Sequence, residues 1–254
     1  MATLQLQGVN VDFGGLRAVN GISLTAASGG IKGVIGPNGA GKTTLFNAIS
    51  GFVKPSAGQI RLDGQDLTNL RAHERAGLGL ARTFQNLQLI PEMSLLENVM
   101  LGAHANLRSS WMRNLLGQSR HEELEVEALA HEQLALLGLS DRAYAKAGDL
   151  GFADAKLLEI ARALAARPRV LMLDEPIAGV PLEDQNRIVD VVRTINANGV
   201  TIVLVEHNMR VVMRLCDDIL VMHHGAWLAE GPPAEVSRDP AVISAYLGTE
   251  VNHA

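Results

Sequence analysis

With 254 residues and 47% hydrophobic side chains, the chain has enough apolar material for one large domain or two small ones. A formal net charge of −5 without a long basic stripe excludes the electrostatic footprint of a nucleic-acid binder, and apolar runs as short as residues 170–173 and 202–205 exclude a membrane-spanning helix of roughly 20 residues. The single cysteine, Cys216, forms no internal disulfide and fits a reducing cytoplasm, and the beginning MATLQLQGVNVDF shows neither a basic leader nor a cleavage site, so no export signal is expected.

The first pattern in the chain is the alternation of residues 4–11, which reads as a strand. Residues 31–35 form a second strand after the turn Ser28-Gly29-Gly30, and residues 43–50, closed by Gly51, form a helix. From Ser94 to about Lys146 nearly every residue is compatible with helix, and residues 120–137 are rich in Glu, Ala and Leu. A helix over residues 154–167 ends before Pro168, and one over residues 182–198 ends at Gly199. The continuous apolar stretches 170–173 and 201–205 suit parallel strands covered on both faces. Residues 220–222 and 227–229 flank His223, His224 and Gly225 as a hairpin, and residues 240–247 make a last short helix. Strands alternating with helices predict an α/β sheet. The expected plan is an α/β core over residues 1–90 and 155–230, an inserted helical subdomain over 91–154, and a helical tail over 231–254.

The run Gly36-Pro37-Asn38-Gly39-Ala40-Gly41-Lys42-Thr43-Thr44 fits G-x-x-x-x-G-K-[ST] and lies between a predicted strand and a predicted helix, the context a phosphate loop requires. Glycines let the backbone curl so that successive amides point at phosphate oxygens, and the following helix adds the positive end of its dipole. Lys42 supplies a charge for the β- and γ-phosphates, and the Thr43 hydroxyl is a natural Mg²⁺ ligand. A second motif, Val170-Leu171-Met172-Leu173-Asp174-Glu175-Pro176, ends a buried strand in two adjacent carboxylates. Beside a phosphate loop, Asp174 reads as the residue that holds Mg²⁺ through its water shell and Glu175 as the general base that orients the attacking water; capping of the next helix is the plainer use of the same pair.

The order of these motifs resembles that of the ABC (ATP-binding cassette) ATPases over essentially the whole chain, with the P-loop NTPase fold that this implies. By that resemblance Arg82-Thr83-Phe84-Gln85-Asn86 is a Q-loop in which Gln85 touches Mg²⁺ and the attacking water, Val205-Glu206-His207-Asn208 carries the γ-phosphate contact His207, and Phe13 is the aromatic that stacks on adenine, with core packing as the other reading of Phe13. Within the family, Phe13-Gly14-Gly15-Leu16, the Q-loop run, the insertion at residues 109–117, Ala178-Gly179-Val180 and Ala245-Tyr246-Leu247-Gly248 are similar to the ATPase subunits of branched-chain amino-acid importers and their amide or urea relatives. The implied role is an importer motor that binds ATP and Mg²⁺, sits peripherally on the cytoplasmic face of the inner membrane, and works with permease subunits, a second ATPase and, indirectly, a solute-binding protein. A soluble ABC ATPase acting on ribosomes or DNA is the competing reading; its usual paired cassettes or long coiled-coil insertion are missing here. A regulatory subunit that binds ATP without hydrolysing it is another, opposed by intact Glu175 and His207.

Members of this family pair head to tail, a Leu-Ser-Gly-Gly-Gln signature of one subunit closing over the nucleotide of the other. The equivalent here, Leu150-Gly151-Phe152-Ala153-Asp154, lacks the serine hydroxyl, puts a methyl at Ala153 and a carboxylate at Asp154. Two readings of Asp154 stand side by side: a charge that weakens the partner's phosphate site, or an N-cap of the helix that follows. Pro181 in Ala178-Gly179-Val180-Pro181 replaces a carboxylate that normally reaches across the pair. Intact residues for the chain's own nucleotide and altered residues for its partner's favour a heterodimer over a homodimer.

Overall fold

The computed structural model describes residues 2–85, 87–104 and 119–250, without the side chains of 104, 119–120 and 247–250. Asn86 and the insertion at residues 109–117 lie outside the described residues. In chain order the strands are β1 Leu4–Phe13, β2 Leu16–Ala26, β3 Ile31–Ile35, β4 Ala57–Leu62, β5 Gln65–Asp66, β6 Leu80–Arg82, β7 Val170–Asp174, β8 Thr201–Val205, β9 Asp218–His223 and β10 Ala226–Gly231. The helices are α1 Lys42–Ser50, α2 Ala72–Gly77, α3 Leu95–His104, α4 Ser119–Leu136, α5 Phe152–Leu164, α6 Leu182–Ala197, α7 Met209–Leu215, α8 Pro233–Val236 and α9 Pro240–Glu250. The sheet order is β5-β4-β1-β2-β10-β9-β3-β8-β7-β6. Strands β5, β4, β1 and β2 pair antiparallel, while β9, β3, β8, β7 and β6 run parallel. The two parts meet through one bridge, Ala226 on β10 against Asn20 on β2.

The continuous apolar strands are explained by the pleat. Val170 and Met172 of β7, Val203 and Val205 of β8, and Leu220 and Met222 of β9 face a core shared with β1, β2, β4 and α1. Their neighbours Leu171, Leu173, Ile202, Leu204, Ile219 and Val221 face a second core built on α3, α4, α5, α6 and α7. Because successive side chains point to opposite faces, a strand between two cores must be apolar at every position. The core between helices and sheet continues through α3 and α4, so the helical segment is packed onto the sheet by α5.

Most of the expected elements form, with shifted ends. Gly51 closes α1 in the left-handed conformation, φ 82°. The helix expected to run 154–167 instead starts at Phe152 and stops at Leu164, before the turn in which Arg167 has φ 48°. Strands β2, β4, β5 and β6 and helices α2 and α7 have no counterpart in the sequence reading. Strand β2 is interrupted by Asn20-Gly21, and β1 departs from regular register against it near Val9 and Val11, which blurs the alternation on which a strand is recognised.

Candidate active site

Register sets the geometry. Val34 pairs with Val205, Val205 with Asp174, and Met172 with Arg82, so the carboxyl ends of β3, β8, β7 and β6 lie along one edge of the parallel sheet. The residues that follow those strands are the phosphate loop, Glu206-His207, Glu175 and Thr83-Phe84-Gln85. The edge of an open α/β sheet where strand order reverses is where such folds bind ligands, and β3 sits at that point between β8 and β9.

The phosphate loop runs from β3 into α1. Gly41 precedes the helix with φ 94°, and a Cβ there would stand 2.4 Å from the carbonyl oxygen of Ala18, so both backbone shape and space demand glycine. The Lys42 ammonium is buried and donates to the carbonyls of Gly36 at 2.6 Å and Pro37 at 3.0 Å. Burial pushes its pKa down, opposed by the charges of Glu175 and Asp174. A phosphate in the loop would supply the counter-charge that offsets that desolvation, so the buried ammonium and the curled backbone together fit a polyphosphate. Around it lies a cleft of about 480 Å³ lined by Asn38, Gly39, Ala40, Gly41, Lys42, Thr43, Thr44, Gln85 and Glu175 on one side and by Leu16, Arg17, Ala18, His224 and Gly225 on the other.

Glu175 is the meeting point. It has φ 50°, a conformation costly for a non-glycine residue, and is held by its own N–H donating to the Val205 carbonyl at 2.9 Å. Gln85 Nε2 donates to Glu175 Oε2 at 3.1 Å, and His207 Nδ1 lies 3.6 Å from Glu175 Oε1. The neighbouring Glu206 is fully buried and accepts from the N–H groups of Ile177, His207 and Asn208, which fixes the turn that presents His207; burial raises its pKa. Three residues from three separate segments, Gln85, Glu175 and His207, thus converge.

Asp174 differs. Its carboxylate is paired with Arg82 at 2.7 Å, and Arg82 also donates to Asn47 Oδ1 and Ser50 Oγ of α1 and stacks over Phe46 and Phe84. The arginine that joins the acid to α1 was singled out in the sequence only as a member of the Q-loop run; nothing local marks it, since its partner is 92 positions away. Thr43 and Gln85 border the cleft, whereas Asp174 is engaged by Arg82, and among the described residues no group of three or more His, Cys, Asp or Glu gathers that could hold a metal. Phe13 is 49% exposed, so it is not a core residue, and neither it nor His207 lines the cleft. The cleft wall formed by Arg17 and His224 was not foreseen, because it depends on β2 and the β9–β10 turn meeting across a single bridge.

At the altered signature the structure corrects the sequence reading. Asp154 is not the N-cap: Gly151 is, in extended conformation, and the helix starts at Phe152. The Asp154 carboxylate instead bridges Arg142 at 2.9 Å and Arg187 at 2.6 Å, so its charge is spent within the subunit. The Ala153 methyl is packed in the helical core. What remains of the alteration is the missing hydroxyl at Gly151 and the exposed ring of Phe152. Pro181 caps α6 through its carbonyl, which accepts from Asp184 and Gln185.

Comparison with known proteins agrees. Residues 19–178 match the ABC transporter family model, and residues 228–252 match that of the branched-chain amino acid ATP-binding cassette transporter. The high-affinity branched-chain amino acid transport ATP-binding protein BraF of Pseudomonas aeruginosa is 41% identical over 96% of this chain and 97% of its own, and LivG of Escherichia coli is 39% identical over the same shares. Crystal structures of an ATP-binding cassette from an ABC transporter, one nucleotide-free and one in the ADP conformation, superpose with TM-scores of 0.86 at 34% identity, covering 97% and 98% of this chain and 99% of theirs. The chain therefore belongs to the ABC transporter family, among the branched-chain amino acid transport ATP-binding proteins.

Proposed function

We propose that the chain is the ATP-hydrolysing motor of an importer for branched-chain amino acids or closely related solutes. The observation that carries this reading is the convergence of Gln85 and His207 on the Glu175 carboxylate beside a complete phosphate loop. ATP lies with its phosphates in loop 36–44, Lys42 turning from the loop carbonyls to the β- and γ-phosphates, and the base of the nucleotide reaching toward the Phe13 side of the cleft. Glu175 accepts the proton of a water held between it and Gln85, and the oxygen of that water attacks the γ-phosphorus in line with the departing ADP oxygen. His207 donates to the γ-phosphate. Thr43, Asp174 and Gln85 are the residues that would hold Mg²⁺, which would supply positive charge against the phosphates.

Among the described residues no helix is long and apolar enough to cross a membrane, so transport requires permease subunits, with this chain docked peripherally on the cytoplasmic face and a solute-binding protein acting beyond it. The missing hydroxyl at Gly151 and the missing carboxylate at Pro181 support pairing with a second, unlike ATPase whose signature closes this chain's site. Glu175→Gln is the decisive variant. It retains ATP binding and loses turnover by roughly 10²–10⁴-fold, the usual contribution of a general base. Steady-state phosphate release at the wild-type rate removes Glu175 from that role.

A further inference from the structure

The buried charges of α5 find no use in the steps above. Lys156 and Glu159 are each 3% exposed, and together with Arg162 they form one stripe of the helix at spacings of three. All three reach the backbone of the same loop. Lys156 Nζ donates to the Gln85 carbonyl at 3.1 Å, Glu159 Oε1 accepts from the Phe84 N–H at 3.3 Å, and an Arg162 guanidinium nitrogen donates to the Gln88 carbonyl. Burial raises the pKa of Glu159, while the Phe84 and Gln88 amides and the two cations hold it down. Charges removed from water are costly unless they are paired or hydrogen-bonded, and here the hydrogen bonds go to one loop.

We propose that Lys156, Glu159 and Arg162 are positioning residues that clamp the Gln85 loop to α5, so that movement of the Gly151 end of that helix over a partner's nucleotide is transmitted to Gln85 and thence to Glu175. Gln85 is gripped at both ends: its carbonyl by Lys156, its amide on Glu175. The helix that delivers the grip begins at Gly151-Phe152, and Phe152 lies under the Lys156 ammonium at 5.7 Å from nitrogen to ring centroid, so the signature end and the clamp share a contact. None of the three touches the reacting atoms. Their effect is on where Gln85 stands when the pair closes, a displacement of a kind that costs catalysis up to about 10²-fold per ångström. The inference rests on the reading of Glu175 as base.

The test is a set of variants in the assembled transporter: Lys156→Met, which keeps the stem and removes the charge, Lys156→Arg, Glu159→Gln, and Glu175→Gln as reference. For Lys156→Met we expect kcat for ATP hydrolysis to fall about tenfold or more with the equilibrium affinity for ATP unchanged within about twofold, rescue by Lys156→Arg, and an intermediate loss in Glu159→Gln. Wild-type kcat in Lys156→Met, with Glu175→Gln inactive, overturns the clamp and leaves the base in place. Rapid turnover in Glu175→Gln overturns the base instead. A loss in Lys156→Met that appears equally in ATP affinity, or that Lys156→Arg fails to restore, shows that Lys156 serves folding rather than positioning and also overturns the proposal. Should Lys156→Met fail to fold, amide exchange of Phe84 and Gln88 in Glu159→Gln decides: faster exchange only in the ATP-bound pair supports the clamp, and unchanged exchange removes it.

Discussion

At residues 36–44 the loop is shaped by its backbone, whereas at residues 150–154 the backbone is unremarkable and the contacts are made by side chains. Gly41 stands at φ 94° with no room for a Cβ; Gly151 stands at φ −65° with nothing within 4 Å of where a Cβ would be. Lys42 is buried and desolvated beside the cleft, while Asp154 is paired with two arginines of its own subunit. The first region tolerates almost no change because its conformation is its function. In the second, the Asp154 charge and the Ala153 methyl are taken up by packing within the subunit.

That contrast can be broken in graded steps. Lys42→Ala removes the buried ammonium of the phosphate loop, and ATP affinity measured by equilibrium binding falls by on the order of 10²-fold; retention of affinity would place phosphate recognition in the loop amides alone. Gly41→Ala forces a methyl against the Ala18 carbonyl in a left-handed conformation, a strain of about 1–3 kcal/mol that reads out as a lowered melting temperature or roughly tenfold weaker ATP binding. Gly151→Ser makes the opposite point: the space is open, so stability is unchanged, and in the chain assayed by itself turnover rises several-fold, about the worth of one hydrogen bond to a phosphate. No gain in Gly151→Ser would mean that the lost hydroxyl is not what limits the second site, and the case for an unlike partner would then rest on Pro181. Arg187→Ala leaves Asp154 with Arg142 alone and costs about 1 kcal/mol in denaturant unfolding, because both arginines are partly exposed. A larger loss would show that the pair organises the start of α5.

Much of the fold could be read from order along the chain. The continuous apolar runs of β7 and β8 announced strands covered on both faces, and the phosphate loop declared itself because its glycines answer a local conformational demand. The hairpin around His224-Gly225 and the helix ending at Gly51 were legible for the same reason. Strand β2 was not, since Asn20-Gly21 interrupts its pattern and β1 pairs with it out of regular register. Of the site, Lys42, Thr43, Asp174, Glu175, Gln85 and His207 were each named from the chain, but the meeting of Gln85 and His207 on Glu175 follows from the register of β6, β7 and β8.

What the sequence by itself determined about this protein is therefore the parts whose requirement is local: a left-handed turn before a helix, two carboxylates at a strand end, an apolar strand of five residues. Only the tertiary structure decided where long polar side chains spend their charge. Arg82 is on Asp174, Asp154 on Arg142 and Arg187, and Lys156 on Gln85, at separations that reach 92 positions. A charged side chain with several rotatable bonds can reach partners in many directions, and desolvation makes its choice depend on every element packed around it, which no periodicity along the chain records.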